Sequence, residues 1–206
     1  MNRPDYLKQI ENRILSKPEG SAFITSDFFD LADTSTVNKA LSRLAADGTI
    51  RRVIRGVYDR PPFSALLQEY AAADMDQIAK AIARNFGWTI VPCGDTALNL
   101  LGLSTQVPAV WKYVSDGPYR EYTIGNRVLS FRHSANKDVS GLSDKVALVI
   151  QALKAMRKDG IDDRTLAKLS SALGPEDRLS FLRDTQHRTA WINRVAKELY
   201  AMEEKE

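Results

Sequence analysis

The sequence predicts an α+β protein: a helical N-terminal segment closed by a basic hairpin, a mixed α/β middle domain with an antiparallel sheet, and a helical C-terminal region. Three observations predict it. Residues 34–48 carry an apolar stripe at helical spacing, and residues 49–59 follow as two short extended stretches around Arg55-Gly56. Alternation between Trp111 and Arg132 then gives way, from Ser143 onward, to helical periodicity.

Each element follows from local chemistry. From Asp5 to Leu15, Tyr6, Ile10 and Ile14 recur at four-residue spacing, and Lys17-Pro18-Glu19-Gly20 stops the helix. Ser21–Ile24 is a short extended piece. Thr25 and Ser26 are placed to cap a second helix carrying Phe28, Phe29 and Leu31, with Asp27 near its N-terminus. Asp33-Thr34 offers the next cap, Val37, Ala40, Leu41 and Leu44 form the stripe, and Gly48 ends the helix. Thr49–Val53 and Val57–Asp59 read as strands, with Gly56 free to take the positive φ of a hairpin turn.

Pro61-Pro62 can continue neither a helix nor a central strand. A helix is expected over Ala65–Phe86, on Leu66, Leu67, Tyr70, Ile78 and Ile82, then a strand at Thr89–Pro92 and a short apolar helix ending at Gly102. Two or three antiparallel strands follow, turning at Asp116-Gly117-Pro118 and Gly125-Asn126. In the tail, Val146, Val149, Ile150 and Leu153 make one stripe and Ile192, Val195, Ala196 and Leu199 another. The expected domains are residues 1–60, 61–142 and 143–206, the last packed on the second.

Composition narrows the function. The chain has 206 residues, is 44% hydrophobic and 27% charged, and carries a net charge of +3, the balance of an ordinary folded protein. One cysteine, Cys93, excludes an internal disulfide framework, and with only His133 and His187 beside it a structural zinc site has too few ligands. No apolar run approaches the roughly 20 residues that span a bilayer. The N-terminal MNRPDYLKQIENR has no hydrophobic region of the secretory kind. The expectation is a cytoplasmic protein that needs no cofactor and no metal.

The third helix carries the most information. Ser35, Asn38, Lys39, Ser42, Arg43 and Ala46 occupy the face opposite the stripe, with no acid before Asp47. Serine and asparagine hydrogen-bond base edges, arginine reads guanine, lysine pairs with phosphate, and Ala46 permits close approach. Arg51, Arg52 and Arg55 then sit on the hairpin. A polar-faced helix followed by a basic hairpin is the layout of a winged helix-turn-helix, whose wing adds phosphate contacts. Residues 1–60 hold ten Lys/Arg against eight Asp/Glu, so placement matters more than total charge. A homodimer on paired half-sites would double the phosphate contacts.

The run Leu41-Ser42-Arg43-Leu44, through Asp47-Gly48-Thr49-Ile50 to Arg55-Gly56-Val57-Tyr58, is joined by a second one, Gly94-Asp95-Thr96-Ala97-Leu98-Asn99-Leu100-Leu101-Gly102-Leu103-Ser104-Thr105-Gln106-Val107-Pro108. On these motifs, over about the first two-thirds of the chain, the sequence resembles the AbiEi-type antitoxins of bacterial type IV toxin–antitoxin pairs. The resemblance implies a winged helix that binds inverted repeats at its own promoter and represses the operon. It also implies a remainder that counteracts a nucleotidyltransferase-like toxin, without requiring a stable complex. Ser35, Asn38, Lys39, Ser42 and Arg43 then fall on the recognition helix, and Arg51, Arg52 and Arg55 on the wing. Gly94, Thr96, Leu98 and Gly102 mark the second domain's motif, whose physical role is packing and a turn.

Other candidates have simpler explanations. Asp74 and Asp76 are two apart on a helical pattern and point away from each other, unsuited to sharing a metal. Cys93 lies beside an apolar strand as an inert thiol. Asp95 or Thr96 reads as a helix cap rather than part of a phosphate cradle. Trp111, Tyr113, Tyr119 and Tyr122 fit a half-buried sheet. Arg178, Arg183, Arg188, Arg194 and Lys197 offer a basic surface or a solvated helical face. No Walker loop, nucleophile elbow, dinucleotide fingerprint or zinc-protease motif is present, so no enzyme is expected. The alternatives kept open are a winged-helix regulator with a ligand-sensing second domain and no toxin, and a winged helix that docks protein instead of DNA.

Overall fold

In the computed structural model, which describes residues 5–134, 141–186 and 188–203, the chain is mixed α+β and divides into two compact units after Trp88. Beyond the division expected near residue 61, the helix that follows the prolines packs against strands of the N-terminal sheet. The described residues from 89 on cluster as the second unit. No helix among the described residues is long and apolar enough to cross a membrane.

The first unit starts with α1 (Tyr6–Leu15), whose N-cap Asp5 accepts from Lys8 N–H and which buries Ile10 and Ile14. β1 (Ala22–Ile24) leads not into an α-helix but into a single 3₁₀ turn, Thr25–Phe28. The Asp27 carboxylate accepts from Ile24 N–H and from the Arg84 guanidinium, which holds this turn tight. α2 (Thr34–Ala46) buries Val37, Ala40, Leu41 and Leu44. Those four meet Ile10, Ile14, Phe23, Phe28, Ile50 and Tyr58 in one core. Two N–H groups, of Thr49 and Ile50, bond back to Leu44 O at 3.0 and 3.3 Å, so the chain reverses directly from α2 into β2 (Arg51–Ile54).

β3 (Val57–Asp59) is the centre of a three-stranded antiparallel sheet ordered β1-β3-β2. The turn between β2 and β3 is Arg55-Gly56, with Gly56 at φ +80°, a conformation that glycine alone adopts without strain. The expected helix over Ala65–Phe86 is corrected. Phe63–Ser64 (β4) and Glu69–Tyr70 (β5) form a small antiparallel ribbon, and only Met75–Phe86 is helical (α3). Asp74 caps α3 by accepting from Asp76 and Gln77 N–H, and Asp76 pairs with Lys80 at 2.7 Å. Both acids of the D-x-D thus have helical duties.

The second unit has a four-stranded sheet ordered β6-β7-β9-β8, from β6 (Ile90–Pro92), β7 (Val110–Ser115), β8 (Arg120–Ile124) and β9 (Arg127–His133). It is mixed rather than antiparallel: β9 folds back between β8 and β7 and runs parallel to β7. Trp111, Tyr113, Leu129 and Phe131 are buried from it. α4 (Asp95–Leu100) precedes β7, and α5 (Asp144–Met156), α6 (Asp163–Ala172), α7 (Pro175–Thr185) and α8 (Ala190–Glu203) make the helical C-terminus. Val149, Leu153, Leu169, Phe181, Val195 and Leu199 join these last helices in one apolar core.

Candidate nucleic-acid interface

Because the stripe of α2 is sealed into the core, its other side faces solvent. Ser35, Asn38, Lys39, Ser42 and Arg43 are all exposed. The helix entry is fixed by Asp33, which accepts from Thr36 N–H at 3.0 Å and from the Thr36 hydroxyl at 2.8 Å. Those bonds hold the Asp33 carboxyl below the usual carboxylate range. Thr25 donates its hydroxyl to Asn38 Oδ1 at 3.0 Å, a bond that occupies the amide's acceptor and not its N–H donors. Arg43 lies 3.9 Å from Asp47 with both side chains well exposed, a contact too loose and too solvated to hold the guanidinium. Thr34, Ser35, Asn38, Lys39 and Ser42 together line a shallow surface depression.

The three hairpin arginines separate. Arg51 donates Nε and Nη2 to the two carboxylate oxygens of Asp59, at 3.0 and 2.5 Å, and Nη1 to Ala71 O at 3.0 Å. Asp59 is 1% exposed, so this bidentate fork neutralises a buried charge. Arg51, expected on the wing, thus has its donors engaged inside the first unit. Arg52 and Arg55 are exposed, and like Lys39 they have no acidic partner within salt-bridge distance among the described residues. The sequence marks Thr34 and Thr25 only as caps, whereas Thr34 also lines the depression and Thr25 also bonds Asn38. Thr34 is the first residue of the helix whose face was singled out, and its position beside the Asp33 cap was the available signal.

A cleft of about 600 Å³ in the same unit is bordered by Arg13, Lys17, Phe23, Asp27 and Arg84. Its arginines are engaged: Arg13 grips Asp30 at 2.6 and 2.7 Å, and Arg84 bonds Ala22 O and Asp27.

In the second unit the motif residues serve structure. Gly94 sits at φ +59°, ψ −140° as the N-cap of α4, with no side-chain cap; it, and not Asp95 or Thr96, opens the helix, in a backbone region reserved for glycine. Thr96 is buried and accepts from Lys112 N–H at 2.8 Å, tying α4 to β7. Burial pushes the Cys93 thiol up, Arg132 and Lys112 opposing it, so the thiol is held away from its nucleophilic form. His133 meets Gly117 O through Nδ1 at 3.0 Å. His187 lies outside the described residues. No group of three metal-ligating side chains occurs among the described residues.

The basic surface considered for the tail is also revised. Arg178 is buried and donates to Leu173 O and Ser170 O, satisfying carbonyls at the end of α6. Arg188 Nε bonds Asp184 O, and Arg183 pairs with Asp184.

The first unit thus carries an exposed polar helix face, followed in the chain by a hairpin with two arginines that have no acidic partner among the described residues. The chain belongs to a family of unknown function, DUF6088, whose model matches residues 9–180. No curated protein matches it. Among solved structures it is similar to the RV2827C protein from Mycobacterium tuberculosis, with 14% identity and a TM-score of 0.43 over 97% of this chain and 78% of that one.

Proposed function

We propose that this protein is a DNA-binding transcriptional autorepressor and antitoxin whose N-terminal unit is a winged helix-turn-helix. α2 enters the major groove, with Ser35, Asn38 and Ser42 toward base edges and Lys39 and Arg43 toward phosphate or guanine. The β2–β3 hairpin is the wing, and Arg52 and Arg55 meet the backbone. The partners are double-stranded operator DNA with inverted repeats and, functionally, a nucleotidyltransferase-like toxin. The protein itself performs no catalysis and acts in the cytoplasm. One observation carries the reading: an exposed helix face without an acid between Asp33 and Asp47 adjoins, in sequence, a hairpin whose Arg52 and Arg55 lack acidic partners among the described residues. The resemblance of the two motifs to the antitoxin family supports the toxin half.

The test titrates DNA from upstream of the protein's own gene against the full chain and against Lys39→Ala/Arg55→Ala. The double variant is expected to keep its melting curve and to lose at least about tenfold in affinity. Its salt dependence should flatten by about two units in log–log slope, one for each phosphate contact removed. Equal affinity and slope would remove these residues from the interface. Co-expression with the adjacent reading frame tests the antitoxin half, with growth rescue by the full chain expected; rescue that survives the double variant places neutralisation outside DNA binding.

A further inference from the structure

Asn38 is an exposed side chain of α2, yet a residue outside the helix holds it: the Thr25 hydroxyl donates to its Oδ1 at 3.0 Å. Thr25 is a stiff mount. It follows Ile24, which is 1% exposed and pairs with Val57 in the sheet, and it opens the 3₁₀ turn Thr25–Phe28. Asp27 ties that turn down, accepting from Ile24 N–H at 3.0 Å and from Arg84 at 3.1 Å. A β-branched side chain has few χ1 choices, so on this fixed backbone the hydroxyl has little room to swing away. An asparagine on a helix surface otherwise samples several rotamers. A bond to a rigid post selects one of them and decides which half of the amide is engaged. The engaged half is the acceptor, and the two Nδ2 donors are the half that this bond leaves. Ser35 and Ser42 differ, because a hydroxyl both donates and accepts.

We propose that Thr25 is a positioning residue that makes Asn38 a one-way reader of base edges, donating through Nδ2 to the keto oxygen of guanine or thymine. The inference rests on the reading of α2 as the helix that enters the major groove, and it adds the class of base that this helix meets. At the same place in the groove guanine shows O6 and thymine O4, both acceptors, whereas adenine shows N6–H₂ and cytosine N4–H₂, both donors. The familiar pairing of asparagine with adenine is two-way: the amide oxygen accepts from N6 while the amide nitrogen donates to N7. With Oδ1 already accepting from Thr25, that pairing loses its accepting half. Cytosine fares worst, since a donor then meets a donor. Thr25 itself need not touch DNA for this to hold; it acts through the rotamer and the sense of Asn38.

Selection of a binding site by the full chain from a randomised duplex pool, then titration of that site with each base pair changed in turn, decides it. Asn38→Ala locates the base pair concerned, as the position where the wild-type ranking is lost. There the wild type is expected to favour keto over amino bases by about tenfold, within the usual cost of one mismatched pair. Thr25→Val, which keeps the β-branch and loses the proton, should cut that preference to about threefold or less, and Thr25→Ser should restore it. The other positions, the thermal melt and the salt slope should stay as they were, whereas a merely structural role would weaken all sequences together. Asn38→Asp puts an acceptor in place of Nδ2 on an exposed side chain. It should bind more weakly overall and turn the ranking toward cytosine and adenine. The inference is overturned by a ranking that Thr25→Val or Asn38→Ala leaves unchanged, by a wild type that favours amino bases at this position, or by an Asn38→Asp ranking that does not turn. A wild type that selects no site from the pool removes the DNA reading itself, and this inference with it.

Discussion

The hairpin of the first unit and the C-terminal helices of the second are both rich in arginine, yet they use it oppositely. In the helices, Arg178 is drawn inside to close the end of α6, and Arg183 and Arg188 are tied to Asp184. Arg194 and Lys197 stay on the exposed side of α8, one turn apart and scattered among Glu198 and other polar neighbours. On the hairpin, one arginine is drawn inside and two stand exposed, in the stretch of chain that follows a helix face without acids. Cation count therefore says little about a nucleic-acid surface. What matters is how many cations remain after buried carboxylates and helix ends have taken theirs.

That contrast is broken most forcefully at Arg51. Replacing it with alanine leaves the Asp59 carboxylate buried without its counter-ion. The expected loss is about 3 kcal/mol, the range seen when one partner of a buried pair is removed. Urea unfolding measures it, and a change near zero would mean that water replaces the guanidinium and that Arg51 is as available as its neighbours. Arg178→Ala comes next. It removes two charge-assisted bonds and the packing of the side-chain stem, for a loss of about 2 kcal/mol in the second unit. Hydrogen exchange localises that loss: the amides of α6 and α7 should lose protection while those of α2 keep theirs.

Which hairpin arginine would turn inward was nearly legible. A regular ladder closing on Arg55-Gly56 with Ile54 opposite Val57 would set Arg52 against Asp59. The register instead slips by one residue between Arg52 and Ile54, so that Arg51 faces Asp59 and Arg52 faces Tyr58. That single bulged residue decides which cation is structural, and no local preference announces it. The helices α1 and α2 were legible, because their caps Asp5 and Asp33 and their four-residue spacing are local signals. The β4–β5 ribbon was not, since its turn has no glycine or proline and its leucines and Tyr70 fit the periodicity of the helix that follows. Asp74, an N-cap in plain sight, marked where that helix starts. The place of β9 between β7 and β8 comes from burying Leu129 and Phe131 beside Tyr113, a long-range choice that a succession of short alternating segments does not encode. The exposed face of α2 was legible because the stripe of Val37, Ala40, Leu41 and Leu44 fixes which side is buried, and DNA titration tests what it touches.

A smaller effect is expected at Asp33, and pH gives it a sign. Its carboxyl is held below the ordinary value of about 3.9 by the backbone and hydroxyl of Thr36. The folded state thus favours the ionised form. The stabilisation is complete above the ordinary value and is lost as pH falls through the lowered one. Asp33→Ala should lower the melting temperature at neutral pH, and the gap to the wild type should close in strongly acidic buffer. Asp33→Asn, which still accepts the Thr36 bonds, should recover part of it. A gap that persists unchanged into acid would assign the effect to something other than the charged cap.

The smallest change in stability is expected where binding should suffer most. Arg52 and Arg55 touch no acid among the described residues, so replacing either with alanine should shift unfolding by no more than about 0.5 kcal/mol. The same substitutions should weaken DNA binding across all sequences alike and lower the salt slope by about one unit each, the signature of backbone contacts. Arg51→Ala supplies the opposite profile, a large loss of stability and, at temperatures where it is folded, a salt slope like that of the wild type. If Arg51 and Arg55 instead gave the same pair of changes, the division between inward and outward guanidinium groups would not be what sets this surface apart.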